Sequence, residues 1–217
     1  MSYESVLART AEAAGRVGRN PSSITIVAVS KSKPASDIEA LYQLGHRDFG
    51  ENRAQEMAEK AVTLPSDIRW HFIGALQSNK ARLVRPITFL LHSMDRESLA
   101  VAWAKGSGLP PPVLVEVNIG REPQKSGVLP EEASAIVDRL TALGLVVRGL
   151  MAIPPVVDEA REQRPHFGAL RHLRDELALV HPGLVELSMG MTDDFEVAVE
   201  EGASMIRVGR AIFGART

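Results

Sequence analysis

A (β/α)8 barrel of the TIM type, with an extra N-terminal helix, is the fold class this 217-residue chain predicts. Three observations lead there. Eight short apolar runs are continuous rather than alternating, as suits parallel strands buried on both faces. Helical patterns separate them, which excludes hairpins and requires right-handed crossovers. The chemically unusual residues follow the runs rather than precede them, as they do on the catalytic face of such a barrel. An open doubly wound sheet is the competing arrangement.

Along the chain, Glu4–Arg16 places Val6, Leu7, Ala11 and Ala14 on one helical stripe, broken at Asn20-Pro21. Ile24–Val29 reads as the first strand, and Ser36–Leu44 as a helix that stops at Gly45. Arg47–Phe49 is a weak second strand, followed by a helix through Glu51–Val62. Ile68–Ile73 and Thr88–His92 are the third and fourth strands, with a short helix at Gln77–Val84 between them and another from Arg96 to Lys105. Gly106-Ser107-Gly108-Leu109 and three prolines form a loop before the fifth strand, Val113–Val117. Helices at Glu131–Leu143 and His166–Val180 flank the sixth strand, Val146–Met151. Leu184–Leu187 and Ser204–Val208 complete the eight, separated by a helix around Asp194–Glu200. No linker or repeat interrupts the pattern, so residues 1–217 read as one domain.

The net charge of −2 provides no basic field to attract nucleic acid or an anionic membrane. With no cysteine, disulfides, thiolate metal sites and cysteine nucleophiles are excluded, and a reducing cytoplasm fits. The start lacks a basic segment leading into an apolar run, and no stretch approaches the roughly 20 apolar residues of a membrane span. A cytoplasmic, soluble and monomeric protein is expected. The six histidines show no metal-ligand spacing, so no metal is expected.

Lys31 stands out because the first apolar run delivers it to the barrel mouth, where burial would suit an amine to Schiff-base chemistry. Lys33 would push the same way by like-charge repulsion. After the seventh and eighth strands, Gly190 and Gly209 permit close backbone approach, with helices expected just beyond both. Ser188 adds a hydroxyl and Arg210 a charge, while Asp193 and Asp194 read as first-turn carboxylates complementing a helix dipole. With Arg207 on the last strand, these residues suggest a phosphorylated aldehyde as ligand. Pyridoxal 5′-phosphate fits, and a sugar phosphate in an aldolase fits the lysine and the phosphate cradle equally. His71 reads as a core histidine with a satisfied ring, and Gly120–Gly127 as a solvated loop or a lid.

Several segments carry a resemblance. They are Val27-Ala28-Val29-Ser30-Lys31-Ser32-Lys33-Pro34, Phe49-Gly50-Glu51-Asn52, His71-Phe72-Ile73-Gly74 and Gln77-Ser78-Asn79-Lys80. Further on come Lys125-Ser126-Gly127, Arg148-Gly149-Leu150-Met151-Ala152-Ile153-Pro154, Ser188-Met189-Gly190-Met191 and Ile212-Phe213-Gly214-Ala215-Arg216. In this order they resemble the pyridoxal phosphate homeostasis proteins. The resemblance implies a barrel similar to the N-terminal domain of alanine racemase, without that enzyme's second domain. It implies that Lys31 holds pyridoxal phosphate as an aldimine, that Ser188, Gly190, Gly209 and Arg210 surround the phosphate, that Arg207 faces the pyridine nitrogen, and that Asn52 lies near the cofactor. The implied role is to supply or buffer the vitamin B6 pool without established catalysis, with apo pyridoxal enzymes as partners. A racemase or decarboxylase using the same cofactor is the alternative. Two departures from the family pattern stand out: Arg210 in place of the usual Thr or Ser, and Ala75 in place of a usual Pro.

Overall fold

The runs Thr25–Val29 (β1), Asp48–Glu51 (β2), Arg69–Phe72 (β3) and Thr88–Met94 (β4) pair in parallel, each with the next. Val113–Glu116 (β5), Val147–Met151 (β6), Glu186–Ser188 (β7) and Met205–Val208 (β8) continue the series. β8 returns to β1 with Thr25 opposite Met205 and Ala28 opposite Val208, which closes the barrel. This is the expected architecture. The computed structural model describes residues 2–214, so Ala215 and Arg216 of the last resemblance segment lie outside the described residues.

Helices fill the crossovers: Ala35–Gln43 (α2), Ala54–Thr63 (α3), Ala81–Val84 (α4), Glu97–Ala104 (α5), Ala133–Ala142 (α6), Arg164–Ala178 (α7) and Phe195–Glu200 (α8). The N-terminal helix, Tyr3–Arg16 (α1), lies outside the βα series and is tied to α8. Arg9 donates to Glu196 at 3.1 and 3.0 Å, and Arg16 to Glu200 at 2.7 Å. Its buried stripe of Val6, Thr10, Ala13 and Ala14 explains why the helix stays on the barrel. A further helix, Arg210–Phe213 (α9), follows β8.

The main core lies between strands and helices, with Trp103, Phe49, Phe167 and Phe195 among its largest buried side chains. Leu90, Leu114, Met151 and Met205 form a separate, smaller cluster inside the barrel. Alternating with them on the inward face are polar residues: His92 on β4, Glu116 on β5, Ser188 on β7 and Arg207 on β8, all buried.

Boundaries differ from the sequence reading where tertiary hydrogen bonds extend a strand. β2 runs on through Gly50 and Glu51 because the Ser30 amide donates to Gly50 O at 3.0 Å and the Ile73 amide to Glu51 O at 2.9 Å. The helix expected from Glu51 therefore begins at Ala54. The Gly120–Gly127 loop is stitched to the rim. Asn118 exchanges side-chain bonds with Glu122 at 2.8 and 3.0 Å, and Lys125 Nζ donates to Pro154 O at 2.9 Å. No helix among the described residues is long and apolar enough to cross a membrane.

Candidate functional site

A cleft of about 320 Å³ opens at the C-terminal ends of the strands. Five of the seven residues expected to bind the cofactor line it: Lys31, Asn52, Arg207, Gly209 and Arg210. Lys33, Thr192 and Asp193 also face it, with Val29, Ile73, Ile153 and Met191 as apolar wall. Thr192 escaped the sequence reading; the only signal was its place just after Gly190-Met191.

Lys31 sits in a tight turn at the end of β1. The Lys33 amide donates to Ser30 O at 3.0 Å, and Ser32 adopts φ +61°, in the left-handed region that non-glycine residues seldom enter. Beneath this turn is a buried ion cluster. Lys60 Nζ donates to Ser30 O at 2.8 Å, to Glu51 Oε1 at 2.7 Å and to Glu56 Oε1 at 2.7 Å. Ser30 Oγ donates to Glu51 at 2.7 Å, and the Ser32 amide to Glu56 at 2.5 Å. The residues on both sides of Lys31 are thus gripped from below. Above the turn, Lys33 Nζ donates to Phe213 O at 2.9 Å and ties the lysine loop to α9.

Asn52 is placed by Gly74. A β-carbon at position 74 would lie 2.6–2.8 Å from Asn52 backbone and side-chain atoms, so only glycine lets the two loops close. Asn52 Oδ1 is buried and has no hydrogen-bond partner among the described residues, so it could accept from a ligand donor in the cleft.

Arg207 reaches the cleft from inside the barrel. Its guanidinium donates to Ser188 Oγ at 2.6 Å and Ala152 O at 2.9 Å. Burial pulls its pKa down to about 10, with Glu116 and Asp194 opposing, so it remains charged at neutral pH.

Ser188 and Gly190 do not line the cleft. Ser188 is fully buried, and its hydroxyl is engaged by Arg207 and, at 2.8 Å, by His92 Nδ1. At Gly190, φ is +90°, and a β-carbon would lie 2.4 Å from Ala198 Cβ, so the glycine lets the loop pack on α8. Gly190 is also not followed at once by a helix, since α8 starts five residues later. Asp194 stands at the N-cap of α8 with Asp193 just before it, at the helix start where both were expected, but each carboxylate also has a tertiary or loop partner. Asp194 Oδ1 accepts from the Met191 amide at 2.6 Å, and exposed Asp193 ion-pairs with Arg210 across the mouth of the cleft.

Fold and cleft together define the class, a barrel of the alanine racemase type, and residues 6–217 match the family model for the alanine racemase N-terminal domain. An alanine racemase from Corynebacterium glutamicum superposes with a TM-score of 0.73 over 98% of this chain and 60% of that one, at 15% identity, a likeness of fold alone. A pyridoxal phosphate homeostasis protein of Pseudomonas aeruginosa is 44% identical over 97% of this chain and 93% of its own length. The structure of PipY from Synechococcus elongatus with PLP bound has a TM-score of 0.80 at 38% identity, covering 94% of this chain and all of that one. The chain belongs to the family of pyridoxal phosphate homeostasis proteins.

Proposed function

We propose that this chain, acting as a single domain, holds pyridoxal 5′-phosphate covalently at Lys31 and supplies or buffers it for other proteins, with no turnover of its own. The carrying observation is the convergence of Lys31, Asn52, Arg207, Gly209 and Arg210 on one cleft at the strand ends. The residues fit the group: an amine for its aldehyde, guanidinium groups at two sides, an unpartnered amide oxygen at Asn52 and a volume within the range of small-ligand pockets. When bound, pyridoxal phosphate supplies an aldehyde that condenses with amines and a ring that can delocalise charge.

The chain's own residues restrain that chemistry. The backbone of the Lys31 turn is held by the Lys60 cluster, which fixes the point from which the lysine side chain extends into the cleft. Arg207 retains its proton at neutral pH, and facing the ring nitrogen it would act as a donor there, which would limit the ring's capacity to delocalise charge. Gly209, at the start of α9, and Arg210, at the rim, would hold the phosphate. The expected setting is a cytoplasmic monomer that hands its cargo to apo pyridoxal enzymes.

The deciding experiment is Lys31→Ala. The variant is expected to fold normally and to lose both the visible absorbance of the loaded protein and its fixation by borohydride. Truncation there removes the attachment point but little packing, since Lys31 is only partly buried. An intact band in this variant would move the covalent site, with Lys33 the first alternative.

At the rim, Arg210→Thr is expected to weaken pyridoxal phosphate retention about two- to fivefold in a spectral titration. A charged donor outweighs a neutral one, but Asp193 already shares the exposed Arg210 guanidinium, so the loss stays below tenfold. Tighter binding by the threonine variant would contradict a phosphate contact.

No D-alanine is expected when the loaded protein is incubated with L-alanine in deuterated water. Racemisation needs an acid–base group on each face of the α-carbon, and Lys31 serves one. The chain's two tyrosines are remote, with Tyr3 OH on His46 at 3.0 Å and Tyr42 OH on Asp67 at 2.7 Å. Exchange of the α-proton without inversion accords with a one-sided site, whereas rapid inversion would make the protein an enzyme.

A further inference from the structure

A line of buried polar side chains crosses the barrel interior. It starts at Arg207 on the cleft and ends at a second cavity, of about 410 Å³, at the opposite end of the barrel, lined by Asp48, Arg69, His71 and Phe89 among others. The links are short. Arg207 Nη1 donates to Ser188 Oγ at 2.6 Å, Ser188 Oγ lies 2.8 Å from His92 Nδ1, His92 Nε2 lies 2.9 Å from His71 Nδ1, and His71 Nε2 lies 3.1 Å from Asp48 Oδ1. His71, His92 and Ser188 are fully buried.

The two ends determine how the hydrogens run. Arg207 is donor-only, so Ser188 Oγ accepts from it and has its own hydrogen left to give. Asp48 is an ionised carboxylate: burial alone would raise its pKa, but hydrogen bonds from Arg69 and His71 outweigh burial and hold it well below the usual range. His71 Nε2 must therefore carry a hydrogen and donate. Burial, with His71 and Arg207 nearby, pushes the pKa of His92 far down, so its ring is neutral and carries one hydrogen. If that hydrogen sat on Nδ1, the Ser188 hydroxyl hydrogen would be left without an acceptor among the described residues. With it on Nε2, every link has one donor and one acceptor, and the series runs Arg207, Ser188, His92, His71, Asp48 in a single direction.

We propose that His92 and His71 are positioning residues for Arg207, a one-way hydrogen-bond chain that commits the Ser188 hydroxyl to the barrel interior and holds the guanidinium toward the cleft. The proposal rests on the cofactor reading above only for what Arg207 then faces. It also accounts for the absence of Ser188 from the cleft wall. A serine whose acceptor and donor capacity are both used inside the barrel orients the arginine rather than contacting a phosphate.

The test starts from the full chain without cofactor. Histidine side-chain nitrogen NMR is expected to find both His71 and His92 as Nε2–H tautomers with unprotonated Nδ1. A hydrogen on Nδ1 of either ring would overturn the proposal. In the same sample the Arg207 guanidinium N–H signals should be resolved by slow rotation, and His92→Phe should average them. His92→Gln, whose amide can accept from Ser188 and donate to His71, should restore them. In loaded protein, His92→Phe should weaken pyridoxal phosphate binding about tenfold, the scale of one oriented charged contact, with His92→Gln within about twofold of the parent. Equal behaviour of the two variants would reduce the chain to simple packing and overturn the proposal. If the phenylalanine variant does not fold, the tautomers of the parent still decide. Because tautomers and guanidinium signals are read without cofactor, failure of the Lys31 adduct would leave this test standing.

Discussion

Lys60→Met is expected to destabilise the protein by roughly 3–5 kcal/mol, the cost of removing one partner from a buried ion pair. Lys60 uses all three ammonium hydrogens, on Ser30 O, Glu51 and Glu56, and its side chain is only 10% exposed. Glu51 is fully buried, and its Oε2 already has no partner among the described residues. Burial raises the Glu51 pKa even with Lys60 and Ser30 opposing the shift. Without Lys60, the Ser30 hydroxyl would be the one remaining donor to Glu51 in this cluster. For a chain of this size the midpoint of thermal unfolding should fall on the order of 10 °C. Glu51→Gln introduced with Lys60→Met should recover part of the loss, because a neutral amide is cheaper to bury than an unpaired carboxylate. A loss below about 1 kcal/mol in the single variant would show that the cluster is not the anchor of the Lys31 turn.

A second large effect concerns Glu116, at the end of β5 and facing the barrel interior. Burial, reinforced by the charge of Asp95 and opposed by Arg207, lifts its pKa from 4.5 to about 7. A carboxyl whose folded-state pKa is raised binds its proton more tightly in the native state. Its effect on stability is therefore nil below the unfolded pKa, grows unfavourable as pH rises, and levels off above about 7. At 1.36 kcal/mol per unit, the full penalty is roughly 3 kcal/mol. Glu116→Gln should thus be about 3 kcal/mol more stable than the parent at pH 9, with the gap below about 1 kcal/mol at pH 5, in urea unfolding. A gap independent of pH would place the proton elsewhere, with Asp95 and Asp194 the nearest alternatives.

The lysine of the site could be read from the chain because an apolar run leads directly into it and the backbone of a strand carries it to the rim. Arg207, Asn52, Gly209 and Arg210 were legible for the same reason, each standing at or just past a strand end. Ser188 and Gly190 stand in equivalent positions and yet take other roles. Strand periodicity indicates that Ser188 faces inward; it does not say that Arg207 and His92 occupy its hydroxyl first. At Gly190 the requirement for glycine is real, but it arises from Ala198 on the next helix rather than from a ligand.

Asp193 and Asp194 show the same limit. Their spacing before α8 suits a helix dipole, and Asp194 does occupy the N-cap, but their hydrogen-bond partners are not set by the helix. The fold brings Arg210 to Asp193 from 17 residues away, and the Met191 amide turns back onto Asp194. An exposed ion pair and a helix dipole are each worth at most about 1 kcal/mol, so the partner that the tertiary fold brings within reach of each carboxylate shapes its contacts as much as the helix start does.

Sequence alone determined the succession of parallel βα units, the extra N-terminal helix and the face on which chemistry collects, because hydrophobic periodicity and strand ends are local properties of the chain; the pairing of β8 with β1 decided for a closed barrel over an open sheet. Only the tertiary structure decided the partners of buried polar groups. Lys60 under the Lys31 turn and the line from Arg207 to Asp48 join residues far apart in the chain. Their hydrogen bonds depend on ångström distances that barrel closure creates and that no local pattern encodes.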